Sequence, residues 1–244
     1  MVFVKKMKER DIKKYFCSKC SNTLFLDKEK LITCECVNFK KIIEKYYEAN
    51  IPRKYFDITF DSLKQEKIIS EENIKIIERY INKRDFFYEK GIGLYLWGST
   101  GNGKTSIGIC ILKEMLKNGY SVYFEQMSRL VSNLYYYLKN SEESKKYSNK
   151  ICTSDFLMLD DLDKEYVSDS GFVQAKIDEI FRTRIYNELP TLTTSNKNIT
   201  NLKTKSYTDS ILSILKESLF VIEFSSKVDY RTKISSTIKQ YFGV

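Results

Sequence analysis

The 244-residue chain carries 41 Lys and Arg against 32 Asp and Glu, a formal net charge of +9, with 42% hydrophobic residues. Disorder would need fewer apolar residues, so this is the composition of a soluble globular protein with one large domain and room for a small accessory. There is no histidine, which excludes Ser-His-Asp and Cys-His nucleophile systems, helical zinc-protease motifs and any imidazole base; proton chemistry falls to carboxylates, Lys, Tyr, Cys or water.

No apolar run approaches the ~18 residues of a membrane span. The start, Met1-Val2-Phe3-Val4-Lys5-Lys6, lacks the apolar stretch of a secretory signal. A cytoplasmic location without membrane contact, and reduced thiols, are therefore expected.

Residues 1–50 hold four of the six cysteines and 12 Lys and Arg against 7 Asp and Glu, beginning with the basic run Lys5, Lys6, Lys8, Arg10, Lys13 and Lys14. Cys17-x-x-Cys20 and Cys34-x-Cys36, thirteen residues apart, suit a tetrahedral thiolate site for Zn²⁺ in a small ribbon. A segment this short needs such a staple because it cannot bury enough core. An iron–sulfur cluster remains the open alternative. A helix is predicted over 38–50, ending before Ile51-Pro52. The chain thus divides into a basic zinc-binding module with its linker helix, 1–50, and a larger domain, 51–244.

Past Pro52, short apolar runs at 94–97, 122–124, 156–159, 191–194 and 219–222 alternate with helical patterns near 105–117, 128–139, 172–187, 202–217 and 229–242. That alternation predicts an α/β fold, a parallel sheet covered by helices on both faces. After the first run, Gly98-Ser99-Thr100-Gly101-Asn102-Gly103-Lys104-Thr105 fits G-x-x-x-x-G-K-S/T and opens the helix at Ser106. Glycines let the loop N–H groups converge on phosphate oxygens at a helix N-terminus. Lys104 would reach the β- and γ-phosphates, and Thr105 would bind Mg²⁺.

The run Phe156-Leu157-Met158-Leu159 ends in Asp160-Asp161, at the strand end where parallel sheets bind ligands. Asp160 would hold Mg²⁺ and Asp161 would polarise the attacking water, although Asp is shorter than the more usual Glu. The next strand ends Thr193-Thr194-Ser195-Asn196, and Asn196 is the residue expected to hold water against the γ-phosphate. The isolated Cys110 and Cys152 read as small buried hydrophobes. The positive charge suits a polyanion. Tyr135-Tyr136-Tyr137 cannot all face a core from one helix, which leaves a tyrosine to stack on single-stranded DNA, near Lys145, Lys146 and Lys150.

The order of Gly98–Thr105, Asp160-Asp161, Leu189-Pro190-Thr191 with Thr194-Ser195-Asn196, and Asp229-Tyr230-Arg231 resembles the DnaC/DnaI-type replicative helicase loaders of the AAA+ class. The cysteine pairs followed by Ala49-Asn50-Ile51-Pro52-Arg53-Lys54-Tyr55 resemble chromosomal and phage members alike, and the likeness covers essentially the whole chain. It implies a P-loop three-layer αβα ATPase domain without a separate C-terminal lid. It also implies a protein that binds the hexameric replicative helicase, helps place it on single-stranded DNA, and times release by nucleotide state. By motif match, Arg231 is the sensor arginine reaching the γ-phosphate, and 139–150 falls where the family carries a DNA-facing insertion.

The chain has Ser213-Ile214-Leu215 where loaders carry a Ser-Arg-hydrophobic run, with Lys216 nearby. The arginine that completes a neighbour's site is therefore not carried over, and self-assembly into an open ring or spiral stays an open expectation. The reading is a weak ATPase loader using ATP, Mg²⁺ and Zn²⁺. Its rivals are an IstB-type transposition helper and a nucleotide-gated helicase adaptor that hardly hydrolyses ATP.

Overall fold

The computed structural model describes residues 17–21, 24–30, 32–66, 68–137, 141–162, 171–202, 207 and 209–225. The chain forms two compact units, Met1–Phe56 and Asp57–Val244. In the first, strands β1 (Phe25–Asp27) and β2 (Ile32–Thr33) pair antiparallel, followed by helix α1 (Cys36–Glu48). That helix ends through Asn50 in a left-handed turn, φ +57°. The Asn50 and Ile51 N–H groups bond back to the Tyr47 and Tyr46 carbonyls at 3.1 and 3.0 Å, so the last carbonyls stay satisfied. Packing carries this unit past Pro52, because Phe56 sets its ring against Tyr46 and Tyr47 at centroid distances of 5.3 and 5.1 Å.

The second unit opens with helices α2 (Phe60–Gln65), α3 (Glu71–Asn82) and α4 (Arg84–Glu89). Then follow β3 (Gly93–Gly98), α5 (Lys104–Lys117), β4 (Val122–Gln126), α6 (Met127–Tyr137), α7 (Ser141–Thr153) and β5 (Phe156–Leu162). The described residues close with α8 (Phe172–Tyr186), β6 (Thr191–Ser195), α9 (Asp209–Ser218) and β7 (Leu219–Phe224). The five strands predicted from the apolar runs are all present and all parallel, in the order β4-β5-β6-β3-β7.

Sequence periodicity missed α7, whose polar stretch buries Tyr147 and Ile151 in the core and packs Cys152 against it. It also placed the start of α9 too early: a short 3-10 turn, Ile199–Asn201, precedes it, and the α-helix begins at Asp209. The helix expected near 229–242 lies outside the described residues.

Because side chains alternate along a strand, each sheet face has its own cover. Leu94, Leu96 and Met158 meet α5; a Cβ on Gly108 would stand 2.5 Å from Met158 Cε, so glycine there lets helix and strand close up. Tyr95, Leu157 and Leu159 join the opposite core with Leu130, Tyr147, Ile177, Phe181 and Leu215 from α6 to α9.

Arg184, fully buried on α8, staples that core's edge. Its guanidinium donates to the carbonyls of Ile151, Ser154 and Pro190 at 2.9, 2.9 and 2.7 Å. Burial lowers its pKa to about 9, which leaves it charged at neutral pH. The Ile151 carbonyl it meets lies in the last turn of α7, at the negative end of that helix. No helix among the described residues is long and apolar enough to cross a membrane.

Candidate nucleotide site and cysteine cluster

The sheet order inserts β6 between β3 and β5, so the C-terminal ends of three strands bring the loop, the Asn196 turn and the aspartates together. β3 closes on Gly98 at φ +146°, where a Cβ would lie 2.1 Å from the Phe224 carbonyl oxygen of the paired strand β7. Only glycine permits that approach. Gly101 and Gly103 follow with φ +86° and +75°, and α5 starts at Lys104.

Asn102, 2% exposed, pins the arch of the loop. Its Nδ2 donates to Ser99 Oγ at 2.9 Å and to the Phe224 carbonyl at 2.7 Å. Lys104 Nζ lies across the loop and donates to the carbonyls of Gly98 and Ser99, both at 2.7 Å, and to Asn196 Oδ1 at 3.2 Å. Ser99 and Thr100 stand exposed at the rim, and Ser106 is half-buried in the first turn of α5.

Opposite the loop, β5 breaks its pairing with β6: Leu159 faces Thr193, but Leu162 faces Ser195, so three steps on β5 match two on β6. This is a bulge at Asp160-Asp161. Without it, strict alternation would turn Asp161 onto the core face of Leu157 and Leu159. With it, Leu162 takes that place in the core and Asp161 sits half-buried at φ +62°.

Asp160, 2% exposed, points to the α5 side. Its Oδ1 accepts from Thr105 Oγ1 at 2.8 Å and from Thr194 Oγ1 at 2.7 Å. Asp161 N–H donates to Thr194 Oγ1 at 2.8 Å.

Lys104, Thr105, Asp160 and Asn196 are brought together here, and Thr100 Oγ1 reaches Asn196 Oδ1 at 3.5 Å. Arg231 lies outside the described residues. Sequence reasoning gave no separate part to Thr194 or to the Asn102 side chain. The strand pattern hides both, since Thr194 sits in a run buried at every position and Asn102 occupies a variable place of the loop. A hydroxyl beside a buried carboxylate is a set of hard oxygens that fits Mg²⁺, and backbone amides at the start of α5 fit phosphate.

In the first unit, the sulfurs of Cys17, Cys20, Cys34 and Cys36 all lie within 4.8 Å of one another. Cys17 and Cys34 stand 3.7 Å apart and Cys20 and Cys36 3.5 Å, and none of the four is in a disulfide. A Zn²⁺ bonded at ~2.3 Å would space tetrahedral sulfurs at ~3.8 Å, so the cluster could hold that metal. Burial raises the Cys20 thiol, but hydrogen bonds from the Leu24 backbone and the neighbouring thiols outweigh it and lower the pKa to about 7. Burial and the nearness of Cys20 push Cys36 up to about 12. Outside the cluster, Cys110 is buried and Cys152 half-buried.

Tyr136 is 70% exposed on α6, and Lys145, Lys146 and Lys150 are exposed on α7. Tyr135 instead leans on Phe172, at 5.7 Å between ring centroids. Lys216 is exposed on α9.

A model of the family described as IstB-like ATP binding protein matches residues 72–221. The chain is similar to the replicative helicase loader DnaI of Bacillus subtilis (strain 168), 27% identical over 209 residues, 77% of this chain and 65% of DnaI. It thus spans just under two thirds of that curated relative. Among solved structures, a crystal structure of DnaI matches at 25% identity and TM-score 0.56, covering 74% of this chain and 94% of that one. The DnaC helicase loader matches at 23% identity and TM-score 0.59, covering 71% and 99%; at that identity it bears on the fold alone.

Proposed function

The chain belongs to the family of IstB-like ATP binding proteins and has the fold of the AAA+ P-loop ATPases, and from that premise we propose that it is an ATP-dependent loader of a replicative DNA helicase. The observation that carries the reading is the pair of polar contacts Thr100–Asn196–Lys104 and Thr105–Asp160, brought side by side at the ends of β3, β6 and β5. Likeness to DnaI supports the choice of helicase as partner.

In this reading the amides of 98–106 and Lys104 bind the triphosphate. Lys104 trades its loop carbonyls for phosphate oxygens, so its charge meets the charge that spreads in hydrolysis. Thr105 and Asp160 hold Mg²⁺, which when bound neutralises β- and γ-phosphate charge. Asp161 orients the attacking water. Asn196, already bonded to Lys104, senses the γ-phosphate, and Arg231 does so from the chain's last stretch.

Hydrolysis is weak, because Ser213-Ile214-Leu215 offers no arginine to a neighbour and Asp161 is a short base. The four cysteines hold one Zn²⁺. Tyr136 with Lys145, Lys146 and Lys150 contacts single-stranded DNA, and copies assembling in an open ring or spiral would align those contacts. The domain division, a cysteine module ahead of an ATPase domain, belongs to the same proposal.

A second reading, a helper ATPase for a transposase, draws on the family's IstB-like description; the cysteine module weighs against it. Co-purification with hexameric helicases and with transposase, in ATP and in ADP, decides between them. The expected result is ATP-dependent capture of a helicase that Lys104→Ala abolishes along with nucleotide binding. Undiminished nucleotide affinity in Lys104→Ala would refute the site.

A further inference from the structure

We propose that Thr194 is a positioning residue of the hydrolytic site, its one hydroxyl setting the direction of both aspartates. The inference rests on the reading of Asp160 and Asp161 given above.

Thr194 is 0% exposed, so it acts only through its neighbours. A hydroxyl has one proton and two lone pairs. Here the proton goes to Asp160 Oδ1 at 2.7 Å, and a lone pair accepts the Asp161 N–H at 2.8 Å. The two bonds have fixed polarity: the side chain cannot turn to serve one aspartate without releasing the other. Serine or threonine can do this at that buried point; valine, of nearly the same shape, can do neither.

The arrangement explains why the strand end keeps a costly conformation. Asp161 lies in the left-handed region at φ +62°, a conformation that residues with a side chain seldom adopt and that surrounding contacts must hold. The bulge that requires this φ leaves Asp161 N–H outside the regular ladder with Thr193 and Ser195. Thr194 Oγ1 takes that N–H in place of a strand carbonyl and so holds the bulge open. Were the bulge to relax, alternation would swing the Asp161 side chain onto the core face of Leu157 and Leu159.

At Asp160, Thr105 and Thr194 both donate to Oδ1. Thr105 is needed by Mg²⁺, whereas Thr194 is a donor that keeps its bond to that oxygen with the metal in place. Partners of this outer kind typically shift metal affinity ~10–100-fold.

The test compares Thr194→Val, Thr194→Ser and Asp160→Asn in the full chain. Three readouts are followed: binding of a fluorescent ATP analogue in EDTA, the Mg²⁺ concentration that half-restores tight binding, and single-turnover hydrolysis. For Thr194→Val, EDTA binding stays within about twofold, the Mg²⁺ requirement rises ~10-fold, and hydrolysis falls ~100-fold. Thr194→Ser returns both to near wild type, because it restores the hydroxyl. A merely structural hydroxyl would lower the melting temperature and leave the Mg²⁺ requirement unmoved.

Thr194→Val with wild-type Mg²⁺ dependence and rate, beside a defective Asp160→Asn, overturns the inference alone. An Asp160→Asn chain that keeps the wild-type Mg²⁺ response overturns the site reading and this inference together. Should Thr194→Val not fold, Thr194→Cys, whose thiol is a weak donor of similar size, carries the same decision: a raised Mg²⁺ requirement supports the inference and an unchanged one ends it.

Discussion

The cysteine unit and the ATPase unit solve the folding problem by different means. Up to Phe56, the described residues bury Ile43, Tyr46, Ala49, Ile51 and Phe56 with two of the cysteines, while Leu26, Ile32 and Phe39 stay 55%, 48% and 45% exposed. So small a core among the described residues offsets little chain entropy, and in the proposed reading a Zn²⁺ held by four sulfurs does what apolar area does not. From Asp57 onward a five-stranded sheet is covered on both faces, and residues such as Tyr95, Leu157 and Leu162 are wholly dry. The lesson is one of scale. The larger unit can bury an arginine and a glutamate and hold a strained aspartate at its ligand site, because its apolar core supplies stability to spare.

The largest expected effect breaks the two apart. Removing the metal with a chelator withdraws ~10–16 kcal/mol of the kind structural zinc sites provide, so the cysteine unit becomes open to protease. The ATPase unit keeps its melting transition and its ATP affinity. Metal analysis should find one zinc per chain in protein purified without chelator. Finding none, or seeing both units digest together, would erase the contrast.

Next in size is Arg184→Leu. It takes the guanidinium donor from the Ile151 and Ser154 carbonyls and leaves Pro190 with the Leu157 N–H alone, a loss of about 3–5 kcal/mol. For a unit this long that lowers the midpoint by ~10 °C, read by calorimetry, with the zinc content unchanged.

The smallest effect sharpens the claim that the larger unit carries costs. Glu125, 1% exposed, accepts from Tyr147 Oη at 3.0 Å and faces Arg129 at 3.8 Å. Burial raises its pKa above the usual carboxylate value, and Tyr147 and Arg129 only partly oppose that. With the folded pKa above the unfolded one, the folded state binds more protons between the two values. Stability contributed by Glu125 is thus full in acid and falls as pH rises through the raised value. Glu125→Gln should raise the melting temperature slightly at neutral pH, and the gain should vanish below the ordinary carboxylate range.

Local patterns made much of this legible. The phosphate loop, the acidic strand end and the cysteine pairs are short-range signals, each set by spacing that survives without knowledge of partners. Asn50 and Pro52 likewise marked the end of the first helix close to where it falls. What escaped is non-local. The helix at 141–153 is mostly polar and meets the core through Tyr147, Ile151 and Cys152, so periodicity had little to work on. Thr194 sits on a strand whose five residues are all buried, where alternation says nothing about which side chain meets a carboxylate.

Composition and spacing alone determined the chemistry on offer: no imidazole, one glycine-rich loop opening a helix, a carboxylate pair closing an apolar strand, four thiols in two pairs. Tertiary structure decided how those groups face one another. The strand order sets β6 between loop and aspartates, and a one-residue bulge keeps Asp161 off the core face and gives that place to Leu162. The reason is physical: residue type and backbone propensity act within a few positions along the chain, whereas hydrogen-bond partners across a sheet are fixed only when distant strands have chosen their neighbours and register.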